Sequence, residues 1–204
     1  MLEYILLIVG FGSGSASSAA SLIESPLITD RGEWGLYEEC PPEMYVYGFQ
    51  LLSEPDQGAF GDDTALNGIY LLCVHLAANR NIPGLLGWGP SSTEVVTISS
   101  TVGPEGYTRG IFQCPVSSWA IGFDLRVDYE HGIMYDDTAA NNFKMRCTAG
   151  RDLEGDAEPW GEWYGFRTCP AGHVICGIQT QVEEVGTSDD TTLNNIKLGC
   201  CQPI

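Results

Sequence analysis

Three stretches of the chain lie over one another in register: "DDTALNGIYLLC" at 62–73, "DDTAANNFKMRC" at 136–147 and "DDTTLNNIKLGC" at 189–200. A second block precedes each: "CPPEMYVYGFQL" from Cys40, "CPVSSWAIGFDL" from Cys114 and "CPAGHVICGIQT" from Cys169. All three have Cys-Pro, and all three place glycine eight positions after the cysteine, at Gly48, Gly122 and Gly177. A tryptophan–glycine element stands before two of them, in "GEWGLYEEC" and "WGEWYGFRTC". The middle one has "GPEGYTRGIFQC" instead, so Glu105 occupies the place of Trp160. A self-similar chain of this kind builds one supersecondary unit several times over, and that fact constrains everything else. The repeats run about 31–73, 101–147 and 156–201. An inserted loop at 74–100 makes their spacing uneven, and its Gly/Pro/Ser-rich part, Asn79 to Ser92, reads as surface.

The repeated segments alternate with period two. In "NNFKMRC", Phe143, Met145 and Cys147 share one face while Lys144 and Arg146 take the other; Ile69, Leu71 and Cys73 match them in the first repeat, and Ile196, Leu198 and Cys200 in the third. Likewise "WAIGFDLRV" sets Trp119, Ile121, Phe123, Leu125 and Val127 on one side. These are half-buried strands. Beyond the N-terminal segment no stretch keeps helical spacing, so the chain is all-β. Three equivalent sheets, each with one apolar face, bury those faces only against each other, around a pseudo-threefold axis.

Charge and cysteine usage bound the function. A net charge of −18, with only nine Lys and Arg, argues against nucleic acid and against an anionic membrane surface. It permits basic proteins, neutral sugars or divalent cations, and as a bare property it is a well-solvated acidic surface. Residues 1–20 read as a secretory signal peptide, with a short apolar run from Tyr4 to Phe11 and small residues at a cleavage position between Ala16 and Ala20. No Lys or Arg precedes the run and Glu3 is acidic, so the alternative is an ordinary disordered or buried N-terminus. Residues 21–30 read as a linker. Eight apolar residues do not span a bilayer, and no membrane insertion is expected. The even count of eight cysteines suits an oxidising, secreted setting, and their spacing has no zinc-site pattern. No cofactor is expected.

Repeat equivalence pairs Cys40 with Cys73 and Cys114 with Cys147. The third repeat holds four cysteines, Cys169, Cys176, Cys200 and Cys201. Equivalence favours Cys169–Cys200 with Cys176–Cys201. Strand parity, which puts Cys176 on the face of Val174 and Ile178, favours Cys176–Cys200 with Cys169–Cys201. Both remain open, with the repeat-equivalent pairing preferred.

The three Asp-Asp-Thr blocks, the Cys-Pro to Gly spacing, the Trp-Gly elements and the terminal Cys-Cys together resemble the vitelline membrane outer layer protein 1 family, over about Arg31 to Gln202. The resemblance implies a β-prism, three Greek-key antiparallel sheets with pseudo-threefold symmetry. It also implies a component of an extracellular layer, found beside lysozyme and mucin-type glycoprotein, and a transferase-like activity on chito-oligosaccharides attributed to the bird-egg member. The second repeat departs from the pattern by lacking the Trp pair.

Three readings compete for Asp62, Asp63, Asp136, Asp137, Asp189 and Asp190. As structural turn residues they accept hydrogen bonds from nearby backbone N–H groups, and a threefold fold needs the same turn three times. As calcium ligands they supply hard oxygens but lack the alternating spacing of a calcium loop. As glycosidic catalysts they would have to pair between repeats, because neighbours on a strand face opposite ways. The turn reading is preferred. His75, His131 and His173 read as surface or turn residues. Among the tryptophans, Trp119 belongs with the core; Trp160 and Trp163 read first as packing at a sheet end and second as a sugar platform. Glu105, Glu158 and Glu162 fall near one repeat position and, with Trp160 and Trp163, form the candidate carbohydrate contacts.

These features point to a secreted, disulfide-stabilised structural or carbohydrate-binding protein of an extracellular layer or secretion. Its expected partners are extracellular glycoproteins, basic proteins such as lysozyme, or chito-oligosaccharides. The alternative is a glycosyltransferase- or glycosidase-type enzyme on N-acetylglucosamine oligomers, which would need a carboxylic acid of raised pKa in a cleft.

Overall fold

The computed structural model describes residues 19–55, 64–75, 94–129, 138–184 and 191–204, and every described element is a strand. Three long hairpins form the frame: β4 (Met44–Ser53) with β5 (Leu66–His75), β8 (Ala120–Val127) with β9 (Ala140–Cys147), and β13 (Val174–Val182) with β14 (Leu193–Cys201). Each hairpin is one repeat's Cys-Pro block followed by its Thr-x-x-Asn block. Short strands complete each sheet. The return strand is flanked by β6 (Val96–Ile98), β10 (Asp152–Glu154) or β1 (Ser21–Glu24). The outgoing strand is flanked by β7 (Tyr107–Gln113), by β11 (Glu162–Trp163) with β12 (Arg167–Thr168), or by β2 (Glu33–Trp34) with β3 (Glu38–Glu39).

The first sheet therefore runs β6-β5-β4-β7, the second β10-β9-β8-β11 and the third β1-β14-β13-β2. In the first two, three consecutive antiparallel strands are followed by a fourth that returns beside the first, which is a Greek key; in the third the same arrangement is completed by β1 and β2 from the other end of the sequence. The lead-in to every repeat pairs with the preceding repeat's sheet. For the first repeat the preceding sheet is the third, so the N-terminal segment closes the ring. Residues 21–30, read from sequence as a linker, accordingly include β1, paired along β14 from Ser21↔Cys200 to Glu24↔Lys197.

The alternation seen in the sequence becomes the core. Phe49, Phe123 and Ile178 are fully buried at equivalent places, as are Leu71, Met145 and Leu198. Phe143 meets Phe49 edge-on at 4.9 Å and stacks on Phe123 at 6.0 Å, tying the first sheet to the second. Burial of this many aliphatic and aromatic side chains, at roughly 25 cal/mol per Å² of apolar surface, is the main stabilising contribution.

Strict alternation fails at an equivalent place early in each outgoing strand. The ladder slips between Val46 and Gly48, between Ala120 and Gly122, and between Ile175 and Gly177, so Tyr47, Ile121 and Cys176 sit in equivalent β-bulges. A bulge inserts one residue and reverses the faces beyond it. Trp119 and Ile121 are for this reason not on the side of Phe123. Trp119 packs instead with Tyr45, Val174, Cys176 and Cys201 in a second cluster, with Tyr45 edge-on to it at 6.0 Å. The same bulge defeats the parity argument for the cysteines. The bonds are Cys40–Cys73, Cys114–Cys147, Cys169–Cys200 and Cys176–Cys201, the repeat-equivalent set.

The six turn aspartates Asp62, Asp63, Asp136, Asp137, Asp189 and Asp190 lie outside the described residues. So do the apolar N-terminal run, the Asn79–Ser92 loop, Trp88 and His131. Among the described residues no helix is long and apolar enough to cross a membrane.

Candidate functional site

At the hairpin end of the prism, the Thr and Asn of each repeated block are buried, and in the first and third repeats the Thr links an acid to the Asn. Thr191 Oγ1 donates to Glu183 Oε2 at 2.7 Å and accepts from Asn194 Nδ2 at 2.7 Å. The first repeat copies this with Thr64, Glu54 and Asn67, again at 2.7 Å for both bonds. Ala65, Ala139 and Thr192, the residues after each Thr, sit at positive φ of 47°, 48° and 42°. In the second repeat the acid is Asp128, one methylene shorter than Glu54 and Glu183. Thr138 Oγ1 there is buried without a hydrogen-bond partner among the described residues. The described part of the Asp-Asp-Thr block thus performs turn chemistry.

The five carbohydrate candidates are spread over two sheets. Glu105 is exposed on the connection leading to β7. Glu158 is drawn against the first sheet by an ion pair with Arg109 of β7, at 3.1 Å. Glu162 and Trp163 form β11 on the second sheet, with Trp160 half-buried just before it. One face of the Trp163 ring is covered by Lys144, whose Nζ is 3.9 Å from the centroid, and Lys144 is itself paired with Glu154 at 3.1 Å. Trp34 repeats the arrangement on the third sheet, with Lys197 at 4.2 Å and Glu24 at 3.6 Å from that lysine. A lysine held on a ring leaves at most the opposite face for a ligand.

A groove of about 530 Å³ opens beside Trp34, between β2 and the 101–104 connection. Trp34 and Pro104 form its sides, and Glu33, Glu183 and Glu184 supply its charge. The pseudo-threefold relation explains the opening. Arg109 and Glu158, whose ion pair joins the lead-in strand to the next connection, correspond to Gly35 and Gly103 here, and to Tyr164 and Thr29 at the third place. Both glycines are required by close approach: a Cβ on Gly35 would collide with Thr101 Oγ1, and one on Gly103 with Asn67 Oδ1. Trp34 is visible in the "GEWGLYEEC" element, but nothing in the sequence alone marks this site, because its signal is the joint absence of two side chains that the next repeat has.

One carboxyl stands apart. Asp124 of β8 is 5% exposed, and burial pushes its pKa above the ordinary value. Hydrogen bonds from the backbone of Gly165, the charge of Lys144 and the backbone N–H groups of Tyr164 and Leu125 pull it partly back. It lies under the Tyr164–Gly165 turn rather than in the groove. Glu39 comes close to Cys176 and Cys201, but both sulfurs are spent in a disulfide and offer no thiolate to a metal.

Three Greek-key sheets closed around a pseudo-threefold axis, with a core shared by all three, make this a β-prism protein. The family model described as vitelline membrane outer layer protein I (VOMI) matches residues 21–203, and the chain belongs to that family. It is 35% identical over 187 residues to the Mus musculus vitelline membrane outer layer protein 1 homolog, covering 89% of this chain and 84% of that protein. The Homo sapiens homolog is 38% identical over 173 residues, covering 84% and 78% respectively. Among solved structures, the prostate-specific WGA16 glycoprotein lectin superposes with a TM-score of 0.53 at 12% identity, over 89% of this chain and 99% of that one, a likeness of fold.

Proposed function

We propose that the protein is secreted, loses residues 1–20 on export, and serves as a disulfide-locked, carbohydrate-binding component of an extracellular layer or secretion. The observation that carries this reading is the groove of about 530 Å³ lined by Trp34, between β2 and the 101–104 connection. Concave sites with an aromatic wall and a few polar groups suit sugar rings, whose C–H faces pack on the indole while their hydroxyls bond to carboxylates. Four disulfides in one chain suit an oxidising compartment, and kinship with a lectin fold agrees. Glycans of extracellular glycoproteins and N-acetylglucosamine oligomers are the partners of this reading. The net charge of −18 also suits a basic protein such as lysozyme. Glu105, beside Pro104, is its subsidiary contact, and Glu158, Trp160, Glu162 and Trp163, along the lead-in to the third repeat, are the rival place for a glycan.

Catalysis is the less supported alternative, since Asp124, the carboxyl raised by burial, is enclosed away from the groove. Incubation of the purified protein with chito-oligosaccharides separates the two: binding without new product lengths is expected. New lengths would establish the enzyme, and absence of both binding and products across a glycan panel would overturn the carbohydrate reading.

A further inference from the structure

Resting on the carbohydrate-binding reading, we infer that the groove between β2 and the 101–104 connection is where the glycan sits, and that it takes neutral sugars and sugars bearing a free amine while refusing anionic ones. Its volume of about 530 Å³ suits a short oligosaccharide. Trp34 is half-buried, with one face held by Lys197, so its ring is fixed before any ligand arrives. A fixed aromatic plane loses little entropy on binding.

The charge of the groove is one-sided. Glu33, Glu183 and Glu184 line it, and among the described residues no Lys or Arg does. Glu183 is committed to Thr191, whereas Glu33 and Glu184 are exposed at the rim and available to hydroxyl or ammonium donors. Within a chain of net charge −18, a carboxylated or sulfated sugar meets repulsion at this place, and a protonated amine meets attraction. One observation sets it apart from the next equivalent place: the Arg109–Glu158 pair there is replaced here by Gly35 and Gly103. Behind Gly103, Asn67 is fully buried and its Oδ1, like that of its repeat mate Asn141, has no hydrogen-bond partner among the described residues, leaving an acceptor beside the groove.

The test is isothermal titration of the full chain with three probes. These are a tetramer of N-acetylglucosamine, its fully de-acetylated counterpart, and an acidic tetrasaccharide of glucuronic acid and N-acetylglucosamine. The expected order is amine above neutral, with no measurable binding of the acidic probe and one site per chain. Trp34→Ala should weaken the neutral probe about tenfold through loss of the aromatic contact. Exchange of both exposed acids, E33Q with E184Q, should cut the preference for the amine over the neutral probe about threefold. Those two sites are exposed, so they decide the matter even if Trp34→Ala fails to fold. Neutral binding that survives Trp34→Ala but falls in Trp160→Ala would overturn the inference and leave the carbohydrate reading standing. Acidic and neutral probes binding alike would refute the charge selectivity. If none of the probes, nor any member of a wider panel, binds, the carbohydrate reading falls and the inference with it.

Discussion

Asp124 occupies a position where its two repeat mates are glutamines. Gln50 Nε2 donates to the Arg109 carbonyl and Gln179 Nε2 to the Gly35 carbonyl, both at 2.8 Å. An ionised carboxylate cannot donate, so Asp124 accepts from the backbone of the Tyr164–Gly165 turn instead and stays buried at some cost. Its folded pKa is raised, so the folded state holds its proton more tightly than the unfolded state, whose value is the ordinary 3.8. Stability from this group is therefore fully present below 3.8 and is lost as pH rises through the raised folded value. Urea melts of wild type and Asp124→Asn should show the variant gaining relative stability toward neutral pH and converging with wild type in acid; an offset independent of pH would refute this. Backbone strain gives a second expectation. Glu43 and Ser117 sit at φ of 63° and 61° in the Cys-Pro turns, where the third repeat has Gly172 at 79°. Glu43→Gly should raise stability by about 0.5–1 kcal/mol in thermal unfolding, since the left-handed region costs a side chain roughly that much net of glycine's entropy. At the hairpin end, Thr191→Ala strands Glu183 and Asn194 together and should cost about 1–3 kcal/mol by the same assay.

At the scale of elements, the third sheet is built from both ends of the chain. β1 covers the outer edge of β14, paired from Ser21 to Glu24. Removing residues 21–24 from the mature chain leaves that edge open. Lower stability and concentration-dependent association in sedimentation are expected, because an unpaired edge recruits another strand; a monomer as stable as wild type would show β1 to be dispensable. The hairpins were legible in the sequence because period-two alternation is a local signal, repeated three times. The bulges at Tyr47, Ile121 and Cys176 were not, since a single inserted residue leaves the composition of the strand unchanged. That is why Trp119 was set with Phe123 and why parity misdirected the cysteine count. β1 escaped notice because a strand of four residues carries too little pattern, and because its partner is some 170 positions away. The groove was less legible still. Trp34 is visible as a residue, but Gly35 and Gly103 matter only through what Arg109 and Glu158 do at the next equivalent place.

For the whole molecule, closure around the axis means that each sheet is stable only with the other two, and in every repeat a disulfide ties the lead-in, held on the preceding sheet, to the return strand. Cys40–Cys73 and Cys114–Cys147 each span 33 residues. Replacing either pair by alanine should cost about 3–4 kcal/mol by the chain-entropy account, measured by denaturant unfolding under non-reducing conditions. If the turn blocks hold no calcium, millimolar calcium should leave the melting temperature unchanged, and a rise of several degrees would restore the metal reading. The central claim joins fold to function: a rigid prism with a carbohydrate groove beside one particular tryptophan. The five indole N–H groups give separate signals in a two-dimensional ¹H–¹⁵N spectrum, assignable by single replacement. On titration with a neutral N-acetylglucosamine oligomer, the Trp34 signal should shift and saturate at one ligand per chain while those of the core Trp119 and of Trp160 and Trp163 hold still. Movement of Trp160 or Trp163 with Trp34 unmoved, or five signals that never shift, would contradict it.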